Sequence, residues 1–269
     1  MKTAPSLDEL VEMVRAGAKY QAIHPDLVRR VTEQELSKGR GLKDTVKAAR
    51  SKLHQMGGAY MDTSIDYAQW TKELRDLPAD LSAQAVREVC LRWMRSHAST
   101  RERLPFLEDF FRQTLGPLGP LRSVYDYACG LNPLCLPWLP LAPGAAYHAC
   151  DIYADQIGFL NEFFAHFRLS GSANLCDLTA AVPDTPVQVG LLLKTIPCLE
   201  QFDKTAGARL LAAIPAEHLL VSFPARSLGG RSKGMVDNYE AHFEDLIAGQ
   251  NWRVQRYEFP TELAFLISR

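Results

Sequence analysis

Apolar and polar positions change rhythm once along the 269-residue chain. Up to about residue 115 the apolar positions recur at helical spacing, and beyond residue 120 they gather into short runs separated by helical stretches. "SLDE" (residues 6–9) has the capping-box pattern, in which a hydroxyl and an acid three residues later satisfy each other's backbone N–H, and it predicts a helix to about Gly17. Pro25 suits the first turn of a second helix, and "LKDTVKAARSKLHQM" carries a third. In "LSAQAVREVCLRWMRSH", Leu81, Ala85, Val89 and Trp93 stand at i, i+4 spacing and predict one apolar stripe. "STRE" (residues 99–102) repeats the capping-box pattern ahead of "RLPFLEDFFRQTL". "GPLGP" (residues 116–120) then breaks the pattern, which divides the chain into an all-helical N-terminal domain, 1–115, and a second domain, 116–269.

In the second part, strands are predicted at "RSVYDYA", "AAYHAC", "GSANLC", "VQVGLLLK", "EHLLVSFP", "WRVQRYEF" and "ELAFLIS", with helices between most of them. Such alternation implies an α/β fold: a mostly parallel sheet with helices on both faces. Only a turn at Pro260 separates the last two strands, so they form an antiparallel hairpin. Five parallel strands closed by such a hairpin is the class I (Rossmann-like) seven-stranded methyltransferase sheet.

Charge adds a partner to this picture. The net charge of −1 conceals a basic block: residues 15–52 hold ten Lys/Arg against four Asp/Glu, whereas residues 113–269 hold eleven against fifteen. Lys19, Arg29, Arg30, Lys47 and Arg50 belong to that block and are the candidates for an anionic macromolecular partner such as RNA. No apolar run approaches the roughly 20 residues of a membrane span. The first fifteen residues lack the apolar region of a signal peptide, so a cytoplasmic location is expected. The six cysteines show no metal-ligand spacing; buried, reduced thiols and no metal are expected.

The candidate chemistry lies where strands end. "SVYDYACGLNPL" reads as a buried strand, a turn at Gly130 and a helix. A pyrophosphate needs several glycines at such a junction, because a wide nest of amides must face it. One glycine fits S-adenosyl-L-methionine, which has no phosphate and needs a single close backbone approach for its amino-acid end. Asp151, in "ACD", ends the next strand and is placed to accept from both ribose hydroxyls; Asp177, in "LCDL", ends the third and can accept from the adenine amine. The fourth strand ends at Lys194-Thr195-Ile196-Pro197. Lysine cannot accept from an exocyclic amine, so the methyl acceptor is expected to be a ring nitrogen with a free lone pair, positioned with the help of Lys194. Beyond the fifth strand, "SFPARSLGGRSKGM" sets Arg226, Arg231 and Lys233 among glycines and ends at Met235. A loop of that kind suits a nucleic-acid backbone.

"HASTRERL", "ACGLNPL", "LLLKTIPCLE", "SFPARSLGGRSKGM" and the N-terminal "KYQAIHPDLVRRV" and "KLHQMGGAY" closely resemble the aminoglycoside-resistance 16S ribosomal RNA methyltransferases, nearest the branch found in aminoglycoside-producing actinomycetes. The likeness covers nearly the whole chain. It implies methyl transfer from S-adenosyl-L-methionine to N7 of guanine 1405 within the assembled 30S subunit. It further implies cofactor contacts at Tyr60, His97, Ser99, Arg103, Ala128, Asp151, Asp177, Leu178 and Leu193, with Arg103 paired to the cofactor carboxylate. The protein is expected to act as a monomer without a protein partner beyond the ribosome. A small-molecule methyltransferase with a helical lid is the competing reading, and the basic block disfavours it.

Overall fold

Ser6 caps α1 (Leu7–Arg15) in both directions expected of a capping box: its hydroxyl accepts from Glu9 N at 3.3 Å, and its own N–H donates to the Glu9 carboxylate at 2.7 Å. A single turn, α2 (Ala18–Gln21), leads to α3 (Pro25–Leu36), which has Pro25 in its first turn, and then to α4 (Leu42–Met56). Leu10, Val14, Leu27, Val31, Ala49 and Leu53 close a small core of their own within this bundle. The computed structural model describes residues 6–57, 65–226 and 234–269. Tyr60, Arg231 and Lys233 lie outside the described residues.

The helices α5 (Tyr67–Arg75), α6 (Gln84–Met94), α7 (Ala98–Arg103) and α8 (Leu107–Thr114) differ from the sequence pattern in two places. The buried face of α6 is Val86, Cys90, Trp93 and Met94, while Ala85 is exposed and Leu81 precedes the helix. Trp93 sets that face, because it stacks on Trp70 and meets Phe159 edge-on. At "STRE" the N-cap is His97, not Ser99, and no side chain caps the helix. Pro105 then forces a 3-10 turn, Leu104–Phe106, so "RLPFLEDFFRQTL" is two helices.

All seven strands form one sheet in the order β3-β2-β1-β4-β5-β7-β6. They are β1 (Leu121–Tyr127), β2 (Leu141–Asp151), β3 (Ala173–Leu175), β4 (Val187–Leu193), β5 (Ala216–Pro224), β6 (Arg253–Phe259) and β7 (Glu262–Ser268). β1 to β5 are parallel, and β7 runs antiparallel to both β5 and β6. The fold class read from the sequence is the observed one. One junction differs: Gly130 leads not into an α-helix but into a 3-10 run, Asn132–Trp138, because Pro133 and Pro137 lack the N–H that α-helical bonding would use. The remaining helices are α9 (Ala154–His166), α10 (Ile196–Leu199), α11 (Ala206–Ala213) and α12 (Met235–Leu246).

Two large cores sandwich the sheet. One unites α5–α8 with β1, β2 and α9, so residues 65–115 share the sheet's own core; the other lies beneath α10–α12. The bundle α1–α4 joins the sheet through a short antiparallel bridge between Ile23 and Tyr153, where His24 N donates to Ile152 O and Ala154 N donates to Ala22 O. Tyr153 packs into the bundle's core. Five cysteines are buried, Cys176 is partly exposed, and all six are free thiols. Among the described residues no helix is long and apolar enough to cross a membrane.

Candidate active site

A cavity opens at the carboxyl ends of β1, β2, β3 and β4. Between β1 and β4 the strand order reverses, which is where open α/β sheets leave a crevice for ligands. Met56 and Gly57 at the end of α4 and His97 and Ser99 at the start of α7 complete its wall, so both helical parts reach the site. Ala128, Gly130, Asp151, Asp177, Leu178, Leu193 and Lys194, all singled out in the sequence, line it together. Asp126, Asn132, Tyr153, Gln156 and Thr195 line it as well and were not singled out.

The backbone around the cavity is held in costly conformations. Of three non-glycine residues with positive φ among the described residues, two line the cavity, Ala128 at 51° and Lys194 at 58°. Gly130 also has φ 51°, and an added Cβ would come within 3.1 Å of the His97 ring. The close approach that requires glycine is thus to His97, which folds over the turn from the neighbouring helix.

Hydrogen bonds fix both strand-end carboxylates. A carboxylate offers about four acceptor positions, two on each oxygen. At Asp151, Oδ2 accepts from Gly130 N at 2.8 Å and Oδ1 from Ile152 N at 2.7 Å, and the Gln156 side chain and Tyr153 N–H also bond to the carboxylate. A carboxylate fixed in this way at the end of β2 faces the cavity as a ready acceptor for hydroxyls. Burial raises the Asp151 pKa, and the N–H donors, Gly130 first, oppose it. At Asp177, Oδ1 accepts from Thr179 N at 2.9 Å and Thr179 Oγ1 at 2.6 Å, and Oδ2 is ion-paired with Arg30 Nη2. One position remains, enough for a single N–H.

Several basic residues expected to face RNA are committed within the protein. Arg30 binds Asp177 and Thr179 Oγ1. Arg50 donates to the carbonyls of Met13 and Val14 at the end of α1 and lies over the Tyr20 ring. Arg29 pairs with Asp8, although it stays half exposed. Arg30 and Arg50 are drawn inward because a carboxylate and a neighbouring helix end lie within reach, whereas the Arg29–Asp8 pair stays at the surface. Lys19, Lys47 and Arg226 are exposed; Met235, the first residue of α12, is half-buried.

A buried ionic network backs the cavity. Arg103 is not among the residues that line the cavity; it donates to Glu262 from Nε at 3.0 Å and Nη2 at 2.6 Å, and to the cavity-lining Asn132 Oδ1 at 2.7 Å. Lys194 likewise is not a free cation, since its Nζ lies 2.6 Å from Glu102 and 3.6 Å from Glu262. Both pairings have one cause: Glu262 is fully buried at the start of β7 and requires positive partners. From Arg103 the network passes through Asn132, whose Nδ2 donates to Asp126 Oδ2 at 2.8 Å, and Tyr147 OH donates to the same oxygen.

Asp126 is buried in β1 at the base of the cavity, and desolvation pushes its pKa up to about 7. Its folded pKa exceeds the unfolded value of 3.8, so its contribution to stability is greatest at and below that value and is lost as pH rises toward 7. Melting temperatures recorded across that window should fall more steeply with pH for the wild type than for Asp126→Asn; parallel curves would remove Asp126 as the source.

A seven-stranded sheet of order β3-β2-β1-β4-β5-β7-β6, with a crevice at the β1/β4 reversal lined by carboxylates at the ends of β2 and β3, is the architecture of the class I, S-adenosylmethionine-dependent methyltransferases. Within that class the chain belongs to the ribosomal RNA methyltransferase (FmrO) family, whose profile it matches over residues 16–266. It is 35% identical over 265 residues to a 16S rRNA (guanine(1405)-N(7))-methyltransferase of Micromonospora echinospora, covering 98% of this chain and 97% of the relative. The enzyme of the same description from Serratia marcescens is 33% identical, with 98% and 99% covered. Among solved structures, the 16S rRNA methyltransferase RmtF in complex with S-adenosyl-L-homocysteine superposes with a TM-score of 0.82 at 31% identity, covering 99% of both chains. The 16S rRNA methylase RmtB gives 0.81 at 28%, covering 99% of this chain and all of that one.

Proposed function

We propose that this protein methylates N7 of guanine 1405 of 16S rRNA in the 30S subunit, in the cytoplasm and as a monomer. Membership of the FmrO family over almost the whole chain carries this reading, and the cavity supports it. The carboxylates of Asp151 and Asp177 fit the ribose and adenine of S-adenosyl-L-methionine. When bound, that cofactor supplies an electrophilic methyl group on a sulfonium. N7 of guanine has a lone pair at neutral pH, so the protein needs no general base. Its task is to align the base, exclude water and hold the acceptor within reach. N7 lies in the deep major groove of A-form RNA, so the guanine is taken to be flipped out.

Residues 116–269, with the cavity-lining start of α7, carry the transfer, and the basic N-terminal bundle α1–α4 docks the substrate. Lys194 serves as a positioning residue: locked by Glu102 and Glu262, it fixes the β4 end of the cavity wall rather than gripping a phosphate. His97, Ser99, Ala128, Leu178 and Leu193 shape the cofactor's pocket. Tyr60 and the loop containing Arg226, Arg231 and Lys233 are assigned to cofactor and rRNA on the family resemblance.

Primer extension on 16S rRNA from 30S subunits incubated with protein and S-adenosylmethionine, after borohydride–aniline cleavage, tests the reading directly. A stop next to position 1405 is expected; a stop elsewhere, or none, overturns it. Asp151→Ala should weaken cofactor binding by at least about a hundredfold, since two hydroxyls lose a charged acceptor worth about 1.5–3 kcal/mol each. Calorimetry on folded protein checks this. Reversing the charge of Lys19 and Lys47 should weaken 30S binding and flatten its salt dependence while leaving cofactor affinity unchanged. Filter binding at several salt concentrations measures both effects.

A further inference from the structure

The bundle α1–α4 packs around its own core, yet one of its side chains enters the wall of the cofactor cavity. Arg30 projects from α3 to Asp177, 147 residues away in sequence, and donates as well to Thr179 Oγ1 at 2.5 Å. Its guanidinium lies over Phe202, 5.8 Å from the ring centroid, and nearby Lys52 of α4 donates to Gln201 O at 3.1 Å. Gln201 and Phe202 stand two and three residues beyond Leu199, which with Cys198 of α10 lines the cavity. Arg30 itself does not line the cavity; Asp177 does.

The backbone of the loop after β3 is held by Ala180 N and Ala181 N on Asp177 O and by Arg209 on Leu178 O and Thr179 O, but none of these bonds reaches the Asp177 side chain. β3 is three residues long, and Thr179 is the only donor to the Asp177 side chain supplied by the loop itself. Thr179 occupies both positions of Oδ1, so Oδ2 can be held only from outside the loop. Arg30 holds it. With the charged partner in place, the last acceptor position of Asp177 points in one direction.

We infer that Arg30 is a positioning residue for recognition of the cofactor's adenine: it fixes Asp177 from the N-terminal bundle, so the adenine subsite is complete only when that bundle is seated on the sheet. This rests on the reading of Asp177 as the acceptor for the adenine amine. It also explains why a basic block on a docking segment contains an arginine turned toward the cofactor. The bundle exposes Lys19 and Lys47 and commits Arg30 to the cavity wall.

The test compares binding of S-adenosylhomocysteine with that of S-inosylhomocysteine, which bears an oxygen in place of the adenine amine, by calorimetry on the full chain. Wild-type protein should prefer the adenine ligand by about tenfold or more. Asp177→Ala should bring the two affinities close together. Arg30→Gln should lower the preference at least about threefold, and Arg30→Lys, which keeps a shorter cation, should fall between it and wild type. In ligand-free Arg30→Gln protein, amide hydrogen exchange at residues 179–181, whose N–H groups all bond to Asp177, should quicken while the amides of α3 stay protected. A merely structural arginine would lower both affinities equally and keep their ratio. If Asp177→Ala retains the wild-type preference, the adenine reading fails and the inference with it. If Asp177→Ala loses the preference but Arg30→Gln and Arg30→Lys keep it, the adenine reading stands and the role of Arg30 is overturned. Should Arg30→Gln fail to fold, Arg30→Lys decides the matter by the same ratio.

Discussion

Glu262→Gln should destabilise the protein by about 3–5 kcal/mol, the usual result of leaving a buried charge without its partner. Glu262 is fully buried, accepts two hydrogen bonds from Arg103 and one from Ser222 Oγ at 2.6 Å, and stands 3.6 Å from the Lys194 ammonium. Arg103 is equally inaccessible and has Phe110 beneath its guanidinium, 4.7 Å away. Neutralising Glu262 leaves Arg103 with a neutral amide and Lys194 with Glu102 alone. Urea denaturation measures the loss, and replacing Arg103 and Glu262 together by methionine should recover much of it, because two buried charges are then removed rather than one. If the single variant unfolds at the wild-type urea concentration, the network is not supporting the fold. A pH dependence of known sign accompanies this. Burial would raise the Glu262 pKa, but Arg103 and Lys194 overcome it and hold the carboxyl below its ordinary value. Its stabilisation is therefore complete above the unfolded pKa of about 4.5 and is lost as pH falls through the folded one. This is opposite to Asp126, so the two groups together favour a mildly acidic optimum.

What the sequence made visible and what it hid follow from distance along the chain. Gly130, Asp151 and Asp177 stand at the ends of successive parallel strands, and parallel strands deliver their ends to one edge whatever their tertiary detail. Local pattern was therefore enough to bring these residues together. The same holds for the cap at Ser6 and the hairpin at Pro260. Arg103 and Glu262, 159 residues apart, and Arg30 and Asp177, 147 apart, form pairs that no local rule connects. A count of basic residues treats Arg30 and Arg50 as solvent-facing, although a carboxylate and two helix-end carbonyls claim them. Asp126 and Glu262 did leave a signal: each is an acid inside or at the head of an apolar strand, where a charge has no access to water unless a partner is supplied. His97 was found through resemblance alone, because nothing in "HAST" by itself points to a ring folded over a distant glycine. The misplaced stripe of α6 has a different origin. Its phase is set by Trp93 packing on Trp70 and Phe159, so the tertiary partners, not the helix period, choose the buried face.

Expression in a susceptible bacterium should raise tolerance to gentamicin and kanamycin steeply while leaving neomycin and apramycin as effective as before. A methyl group on N7 of guanine 1405 removes an acceptor from the position that the amine-rich ring of a 4,6-disubstituted aminoglycoside approaches. It also places a fixed positive charge there. The lost hydrogen bond costs about 1–3 kcal/mol, more when the donor is charged. Repulsion between the new cation and the drug's ammonium groups acts in the same direction. Each 1.4 kcal/mol is about a tenfold loss of affinity, so the two effects together amount to a hundredfold or more. Drugs of the 4,5-disubstituted group and apramycin do not reach that base and lose nothing. Growth inhibition assays with the four drugs measure the pattern, and Asp151→Ala in the same host should abolish it, which ties tolerance to cofactor binding and not to drug sequestration. Apramycin tolerance without gentamicin tolerance would mean that a neighbouring adenine N1 is the acceptor. Adenine N1, like guanine N7, carries a free lone pair at neutral pH, so the same cavity without a general base would serve, and only the placement of the base against the methyl group would differ.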